Sequence, residues 1–188
     1  AVQVAAVAAR TGIATGTIYR YFPSKTDLVS ALVASIAESE LNALRKAGRA
    51  APGPLSALAA TIATFAARAL RHRRLTWAVI AEPVDPETET VRVSFRRALA
   101  DELQALIAAA MQAGLLPKQD TALPAAALVG GLLEGLIGPL APDGDDDPAR
   151  ARDAVQALTL FSLRALGVVD ARARGLVVQI ALPAPEEG

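Results

Sequence analysis

Residues 11–25 read Thr11-Gly12-Ile13-Ala14-Thr15-Gly16-Thr17-Ile18-Tyr19-Arg20-Tyr21-Phe22-Pro23-Ser24-Lys25. The residues before this stretch, from 3 to 10, place Val4, Val7 and Ala8 on one face of a short helix. Gly12 then supplies a tight turn, and a second short helix follows. Two short helices joined by a Gly-containing turn form a helix-turn-helix, whose second helix enters the major groove of DNA. The stretch therefore predicts a double-stranded DNA operator as a partner.

The second helix carries polar side chains suited to contacts with DNA. Hydroxyl and guanidinium groups are common donors to phosphate oxygens, and phosphate contacts fix the register of a protein on the duplex. We expect the two threonines near the N-terminal end to reach base edges, and the tyrosines and the lysine to contact phosphates. Glycine at position 16 lets the backbone approach closely because it has no Cβ. The predicted DNA-binding residues are Thr15, Gly16, Thr17, Tyr19, Arg20, Tyr21 and Lys25.

A capping signature follows the second helix. Ser24 and Asp27 stand at the N-cap and N3 positions of a third helix, which is the spacing of a capping box. The N-terminus of that helix, with Lys25 beside it, is a natural seat for a phosphate. Ile18 and Phe22 lie between the polar residues of the second helix, and we expect both to face inward.

On these residues the chain resembles the TetR family of bacterial transcriptional repressors. The matching segments are Gly12-Ile13, residues 16–25 and Asp27-Leu28, within a resemblance that covers residues 3–28. The resemblance implies an all-α protein with a small N-terminal helix-turn-helix domain and a larger helical domain for effector binding and dimerisation. It further implies a homodimer that binds a palindromic operator and is released by a small-molecule effector that shifts the third helix.

Three features depart from the usual pattern of the family. The family has a further helix before the motif, and this sequence begins after it and without an initiator Met, so we expect it to be part of a longer protein. Ala14 stands where the family has an N-capping Ser, and Gln3 replaces a Thr or Ser cap. Loss of such a cap costs about 1 kcal/mol of stability, unless Thr15 takes its place.

Composition excludes several classes of protein. The chain has 188 residues, enough for a small domain and a larger one, and its 53% of apolar residues favours a packed helical protein. The 19 Lys and Arg balance the 19 Asp and Glu, which argues against a general polyanion binder. Three cations, Arg10, Arg20 and Lys25, precede the first acid, so the N-terminal end is basic. The absence of cysteine suits the cytoplasm, which is the expected location.

Proline and glycine divide the rest of the chain into helices. The third helix, residues 25–47, is expected to end at Gly48 and the Ala51-Pro52-Gly53-Pro54 stretch. This boundary gives a DNA-binding domain of residues 1–47 and an effector-binding and dimerisation domain of residues 48–188. Further helices are expected at 55–74, 75–82, 87–113, 122–140 and 148–166. The apolar residues 175–182 are expected to form a strand or an extended arm.

The expected helices at 122–140 and 148–166 are apolar on more than one face, and such helices need cover on both sides. A second copy of the chain is the expected cover. A transmembrane helix is the alternative for residues 122–140, which approach the length that spans a bilayer. Pro124, Pro139 and a central Glu134 disfavour that alternative, so we expect no membrane partner. The predicted dimer residues are Leu128, Leu132, Leu136, Leu158 and Phe161.

An effector pocket is expected among the helices of the second domain. Ligand sites are mostly apolar with a few well-placed polar groups. Glu82 and Gln104 are further candidates for the polar groups, and each apolar candidate could instead fill the core. The candidate lining residues are Thr61, Phe65, Trp77, Phe95, Arg96 and Met111.

No catalytic constellation accompanies these features. The sequence lacks a Ser-His-Asp or Cys-His arrangement and a phosphate-binding glycine loop, so we expect neither an enzyme nor a cofactor. The single histidine, His72, is expected at a helix end in solvent, and the acidic run 143–147 lacks the spacing of an EF-hand, so no metal site is expected. The sequence indicates a ligand-responsive repressor. The alternatives are a helical small-molecule-binding or dimerisation module without operator binding, and a helical enzyme or carrier.

Overall fold

The computed structural model describes residues 3–80, 82–141 and 148–180. Within these ranges the chain forms nine helices and no strand, which confirms the all-α class. The helices are α1 (Val4–Thr11), α2 (Thr15–Tyr21), α3 (Lys25–Ala50), α4 (Pro54–Arg71), α5 (Arg73–Ile80), α6 (Pro86–Gln112), α7 (Ala122–Leu136), α8 (Pro148–Ala165) and α9 (Asp170–Gln179).

The first three helices begin and end as local sequence signals predict. Gly12 ends α1 in the left-handed region, with φ of 69°, where glycine is favoured. The capping box at the start of α3 is confirmed, because Ser24 Oγ accepts from the Asp27 N–H and the Asp27 carboxylate accepts from the Ser24 N–H. Neither Ala14 nor Gln3 makes a side-chain cap, and Thr15 does not replace one.

The third helix is longer than expected because Gly48 does not break it. At Gly48 the helix passes close to α4, and a Cβ at that position would lie 3.1 Å from Thr61 Oγ1. Glycine therefore permits close packing of two helices here, and α3 ends at Ala50 before the Pro52-Gly53-Pro54 stretch. Because α3 runs across residue 47, the domain boundary placed there stays a prediction.

The larger core lies around α4, which packs against α3, α6 and α8. Leucine and isoleucine side chains from several helices fill it, among them the fully buried Leu58, Leu103 and Leu163. A separate small cluster joins α1 and α2, where Val4, Ala8 and Ile18 are buried together. Helix α3 contacts both apolar clusters, because Leu28 packs against the small cluster and Val33 is buried in the larger core.

The C-terminal segment differs from the expected strand or arm. Residues 170–179 form α9, and Ala173 and Val177 are buried in the larger core at a spacing of one helical turn. The expectation was wrong because the Val-rich composition suggested a strand, whereas burial at i and i+4 follows the helical period.

Two alternatives from the sequence concern residues 122–147, which include α7 and the connection that follows it. No helix within the described part of the chain is long and apolar enough to cross a membrane. The acidic residues of positions 143–147, considered as a calcium site, lie outside the described residues.

Candidate DNA-binding surface and effector cavity

The small cluster fixes the orientation of α2. Ile18 is 7% exposed and packs with Val4 and Ala8 of α1, and Phe22 and Leu28 pack partly buried against the same cluster. With one side of the short helix held in this way, its other side faces solvent. This arrangement confirms the inward orientation expected for Ile18 and Phe22.

Six of the seven predicted DNA-binding residues are exposed and are called here the α2 surface, whereas Thr17 is half-buried. The ring of Tyr21 is 70% exposed although it is large and partly apolar. The guanidinium carbon of Arg20 lies 5.4 Å from the centre of that ring, a cation–π arrangement that orients the cation. The α2 surface consists of Thr15, Gly16, Tyr19, Arg20, Tyr21 and Lys25.

The start of α3 adds backbone donors next to this surface. Asp27 is the nearest acid along the chain, and its carboxylate is occupied by the Ser24 N–H at 2.9 Å and the Ser24 hydroxyl at 2.7 Å. The first-turn N–H groups of Lys25 and Thr26 have no carbonyl partner within the helix, as at any helix start. Cations and helix N–H groups thus lie together, which is a chemistry that binds phosphate.

A polar chain of hydrogen bonds connects α3 to α6. Asp85 caps α6, accepting from the Thr88 N–H at 2.9 Å and from the Thr88 hydroxyl at 3.0 Å. The Thr88 hydroxyl lies 2.9 Å from the Ser30 hydroxyl of α3, so Ser30 is the donor in that contact. The N–H of Thr88 lowers the pKa of Asp85, which therefore stays ionised as the acceptor. Ser30 stands only a turn and a half from the capping box of α3.

A cavity lies between α6, α7 and the connection from α5 to α6, and is called here the α6–α7 cavity. Its volume is about 890 Å³, which is within the usual range for small-molecule sites. Apolar side chains dominate the walls, and six charged residues interrupt them. It is lined by Ile80, Glu82, Pro83, Val84, Glu89, Arg92, Val93, Arg96, Arg97, Ala100, Ala126, Val129, Gly130, Leu133, Glu134, Ile137, Gly138 and Pro139.

Arg92 is the most buried charged residue of this cavity, with 4% of its surface exposed. One terminal nitrogen donates to the Glu82 carbonyl at 2.6 Å and the other to the Ala78 carbonyl at 2.8 Å. The Glu89 carboxylate lies 3.5 Å from the first of these nitrogens. Among the described residues, Arg92 Nε is the buried side-chain nitrogen or oxygen that has no hydrogen-bond partner.

Most of the six residues that the sequence suggested for an effector pocket do not line the α6–α7 cavity. Phe65 and Phe95 are buried in the larger core, where Met111 packs partly buried, and Trp77 of α5 is 40% exposed. Thr61 is buried beside a smaller cavity of about 180 Å³ next to Gly48 and Glu102. Of the six candidates, Arg96 alone lines the α6–α7 cavity.

The sequence missed Arg92, although it carries a signal of its own. Arg92 stands three residues before Phe95 and seven before Leu99, on the apolar stripe of α6. An arginine on a buried stripe needs polar partners, and such an arginine is rarely found without a functional or structural role.

The predicted dimer residues differ in exposure within one protomer, and their role in a dimer stays a prediction. Leu128, Leu132 and Leu136 are buried. Leu158 is half-buried, whereas Phe161 is 61% exposed. Sequence periodicity identified two apolar helices but not which apolar side each one turns to its own core.

Comparison with known proteins gives a family match for the N-terminal residues and a fold for the chain. Residues 1–32 match the family model of bacterial regulatory proteins of the tetR family. No curated protein matches this chain.

Three solved structures extend the similarity to the whole chain. RolR in complex with resorcinol is 23% identical with a TM-score of 0.69, over 98% of this chain and 86% of RolR. A bacterial regulatory protein in the tetR family from Rhodococcus RHA1 is 20% identical with a TM-score of 0.69, over 90% and 88%. The TetR family transcriptional regulator PfmR from Thermus thermophilus is 18% identical with a TM-score of 0.58, over 90% of both chains.

Proposed function

We propose, from the TetR family that the N-terminal region matches and the TetR-type fold of the whole chain, that this protein is a ligand-responsive transcriptional repressor. The observation that carries the proposal is the α2 surface, in which hydroxyls and Arg20 of α2 and Lys25 at the start of α3 face solvent, while the other side of α2 packs on its apolar cluster. Thr15 and Thr17 read base edges, and Tyr19, Tyr21 and Lys25 hold phosphates. Thr15 and Thr17 are assigned to bases because they stand at the N-terminal end of the recognition helix. Tyr19, Tyr21 and Lys25 are assigned to phosphates because they follow farther along the chain and carry suitable donors.

The protein acts as a homodimer on a palindromic operator. The exposed face of α7 carries Leu123, which is 74% exposed, followed at intervals of four residues by Ala127 and Gly131. Phe161 of the adjacent α8 adds a second large exposed apolar group. The small residues Ala127 and Gly131 allow α7 and α8 of one protomer to approach α7 and α8 of the other closely. This approach buries the large side chains of Leu123 and Phe161. Two recognition helices related by a two-fold axis then require half-sites about 34 Å apart, which is one turn of DNA.

A small-molecule effector occupies the α6–α7 cavity and releases the operator. RolR, which has this fold, is solved with resorcinol bound, and this supports a small-molecule effector here. Val84 lines the cavity and precedes Asp85, whose carboxylate holds Thr88 against Ser30. Displacement of the loop by a ligand moves α3 and changes the separation of the recognition helices. The ligand acts by binding the two arrangements with different affinity.

The proposal is tested by selecting bound DNA from a random pool with the protein expressed from its complete reading frame. We expect a palindromic sequence, bound more weakly as salt rises. A combined Tyr19→Phe, Tyr21→Phe and Lys25→Ala variant should bind it weakly, because three phosphate contacts are lost. Lys118→Ala, which removes an exposed lysine between α6 and α7, is the matched control and should bind as the wild type does. Absence of any enriched sequence would refute operator binding and favour the alternative, a ligand-binding or dimerisation module.

A further inference from the structure

We propose that the start of α2 reads thymine bases through two methyl groups, those of Ala14 and Thr15, so that thymines stand opposite these residues in each half-site of the operator. The inference rests on the proposed function, because it names what the α2 surface recognises on DNA. It adds Ala14 to the residues that contact the operator, and it gives Gly16 a part in the approach to the bases.

The side chains that the start of α2 presents to solvent are short. Ala14 at the N-cap and Thr15 and Gly16 in the first turn are exposed. Arg20, the one basic residue of α2, lies in its last turn, with its guanidinium carbon 5.4 Å from the centre of the Tyr21 ring. The first turn therefore has none of the long side chains, such as Arg, Asn or Gln, that make paired hydrogen bonds to guanine or adenine.

Methyl groups are what this end of the helix can offer to a base edge besides the Thr15 hydroxyl. Ala14 makes no side-chain cap. A serine at an N-cap turns its hydroxyl toward the helix N–H groups, whereas the alanine leaves an apolar group at the surface. In the major groove the apolar group of a base edge is the 5-methyl of thymine, which alanine and threonine methyl groups contact. Because recognition helices read bases with their N-terminal residues, these methyl groups meet.

Gly16 supports a close approach of this end of α2 to the bases. Within the described part of the chain, a Cβ at Gly16 would contact no other side chain within 4 Å, and the φ angle of this glycine is not positive. Neither packing nor backbone strain therefore requires glycine here, although glycine destabilises a helix relative to alanine. A helix that lacks a Cβ at this position can lie nearer to a partner, which brings the neighbouring methyl groups to the base edges.

The test uses the operator selected from the random pool, with each thymine of a half-site replaced in turn by deoxyuridine. Uracil pairs with adenine as thymine does and lacks only the 5-methyl group. We expect affinity to fall about fourfold for each contacted methyl group that is removed, which is the factor for losing the burial of one such group. Thymines that flank the palindrome are the control, and their replacement should leave affinity unchanged.

Thr15 has a matched pair of variants. Thr15→Ser keeps the hydroxyl and removes the methyl group, whereas Thr15→Val keeps a methyl group and removes the hydroxyl. Thr15→Val should retain the wild-type sensitivity to uracil, and Thr15→Ser should lose it at one thymine of each half-site. Ala14→Gly should lose it at a different thymine. Wild-type sensitivity at every thymine in both Thr15→Ser and Ala14→Gly would contradict the methyl contacts.

Gly16→Ala tests the close approach separately. This variant should unfold at a higher urea concentration than the wild type, yet it should bind the operator more weakly. Unchanged operator affinity in Gly16→Ala would refute the part given to Gly16. Selection without any enriched sequence would refute operator binding together with this inference. An enriched operator that has no thymine in its half-sites, or that binds equally well with uracil at each of them, would overturn the inference alone.

Discussion

The hydrogen bond between Ser30 and Thr88 joins α3, which begins beside the α2 surface, to α6, which lines the α6–α7 cavity. Ser30→Ala removes this bond but leaves the Thr88 hydroxyl donating to Asp85 at 3.0 Å. A single neutral hydrogen bond contributes about 1 kcal/mol to stability, so we expect the free energy of unfolding to fall by about that amount.

The companion variant Thr88→Val keeps the shape of a side chain that is fully buried and removes both contacts of its hydroxyl. One of those contacts is to a carboxylate, so the expected loss is larger, about 2–3 kcal/mol. In the double variant Ser30→Ala, Thr88→Val, the bond between the two residues is lost only once. The double-mutant cycle should therefore give a coupling energy of about 1 kcal/mol.

Unfolding by urea, followed by circular dichroism, measures all four proteins. Ser94→Ala is the control, because its hydroxyl donates to the Thr90 carbonyl of its own helix and makes no contact with α3. Additive losses, with a coupling energy below about 0.3 kcal/mol, would show that the contact does not couple the two helices. If the cycle gives the expected energy, the effector should also act more weakly in Ser30→Ala. The factor by which it lowers operator affinity should be about five times smaller than in the wild type, because 1 kcal/mol corresponds to a factor of about five in an equilibrium constant.

Three further predictions follow from local features. Ala14→Ser should supply the side-chain cap that α2 lacks and raise the free energy of unfolding by about 1 kcal/mol, measured by urea; no gain would show that the turn cannot present the hydroxyl. Phe161→Glu should convert dimers into monomers in sedimentation experiments, whereas Val178→Glu, at an even more exposed position of α9, should not; a dimer in both would place the interface elsewhere. Arg174 and then Arg164 hold the pKa of Asp170 below its ordinary value of 3.8. Stability from this carboxylate is present above that value and is lost as pH falls through the lower folded pKa, so Asp170→Asn should differ from the wild type in thermal melts near neutral pH and converge with it in acid.

Much of the N-terminal region could be derived from the sequence because its determinants are local. The left-handed Gly12, the Ser24–Asp27 box and the uncapped Ala14 each depend on residues within one turn of one another. The inward position of Ile18 follows from the helical period over the same short distance. Such interactions do not need the rest of the fold, so spacing along the chain was sufficient to predict them.

The α6–α7 cavity and the outer face of the last helices were decided by tertiary structure. The sequence marked α7 and α8 as apolar on more than one face, yet only the packing of α7 on α6 and α4 and of α8 on α4 determined that Leu128 and Leu132 turn inward while Phe161 remains outside. The partners of Arg92 are the backbone carbonyls of Glu82 and Ala78, which lie 10 and 14 residues earlier, in the α5–α6 connection and in α5. No rule of sequence spacing predicts a backbone carbonyl as the partner of an arginine. Period alone identifies an apolar helix face, but the choice between core, cavity and interface depends on which neighbour covers that face.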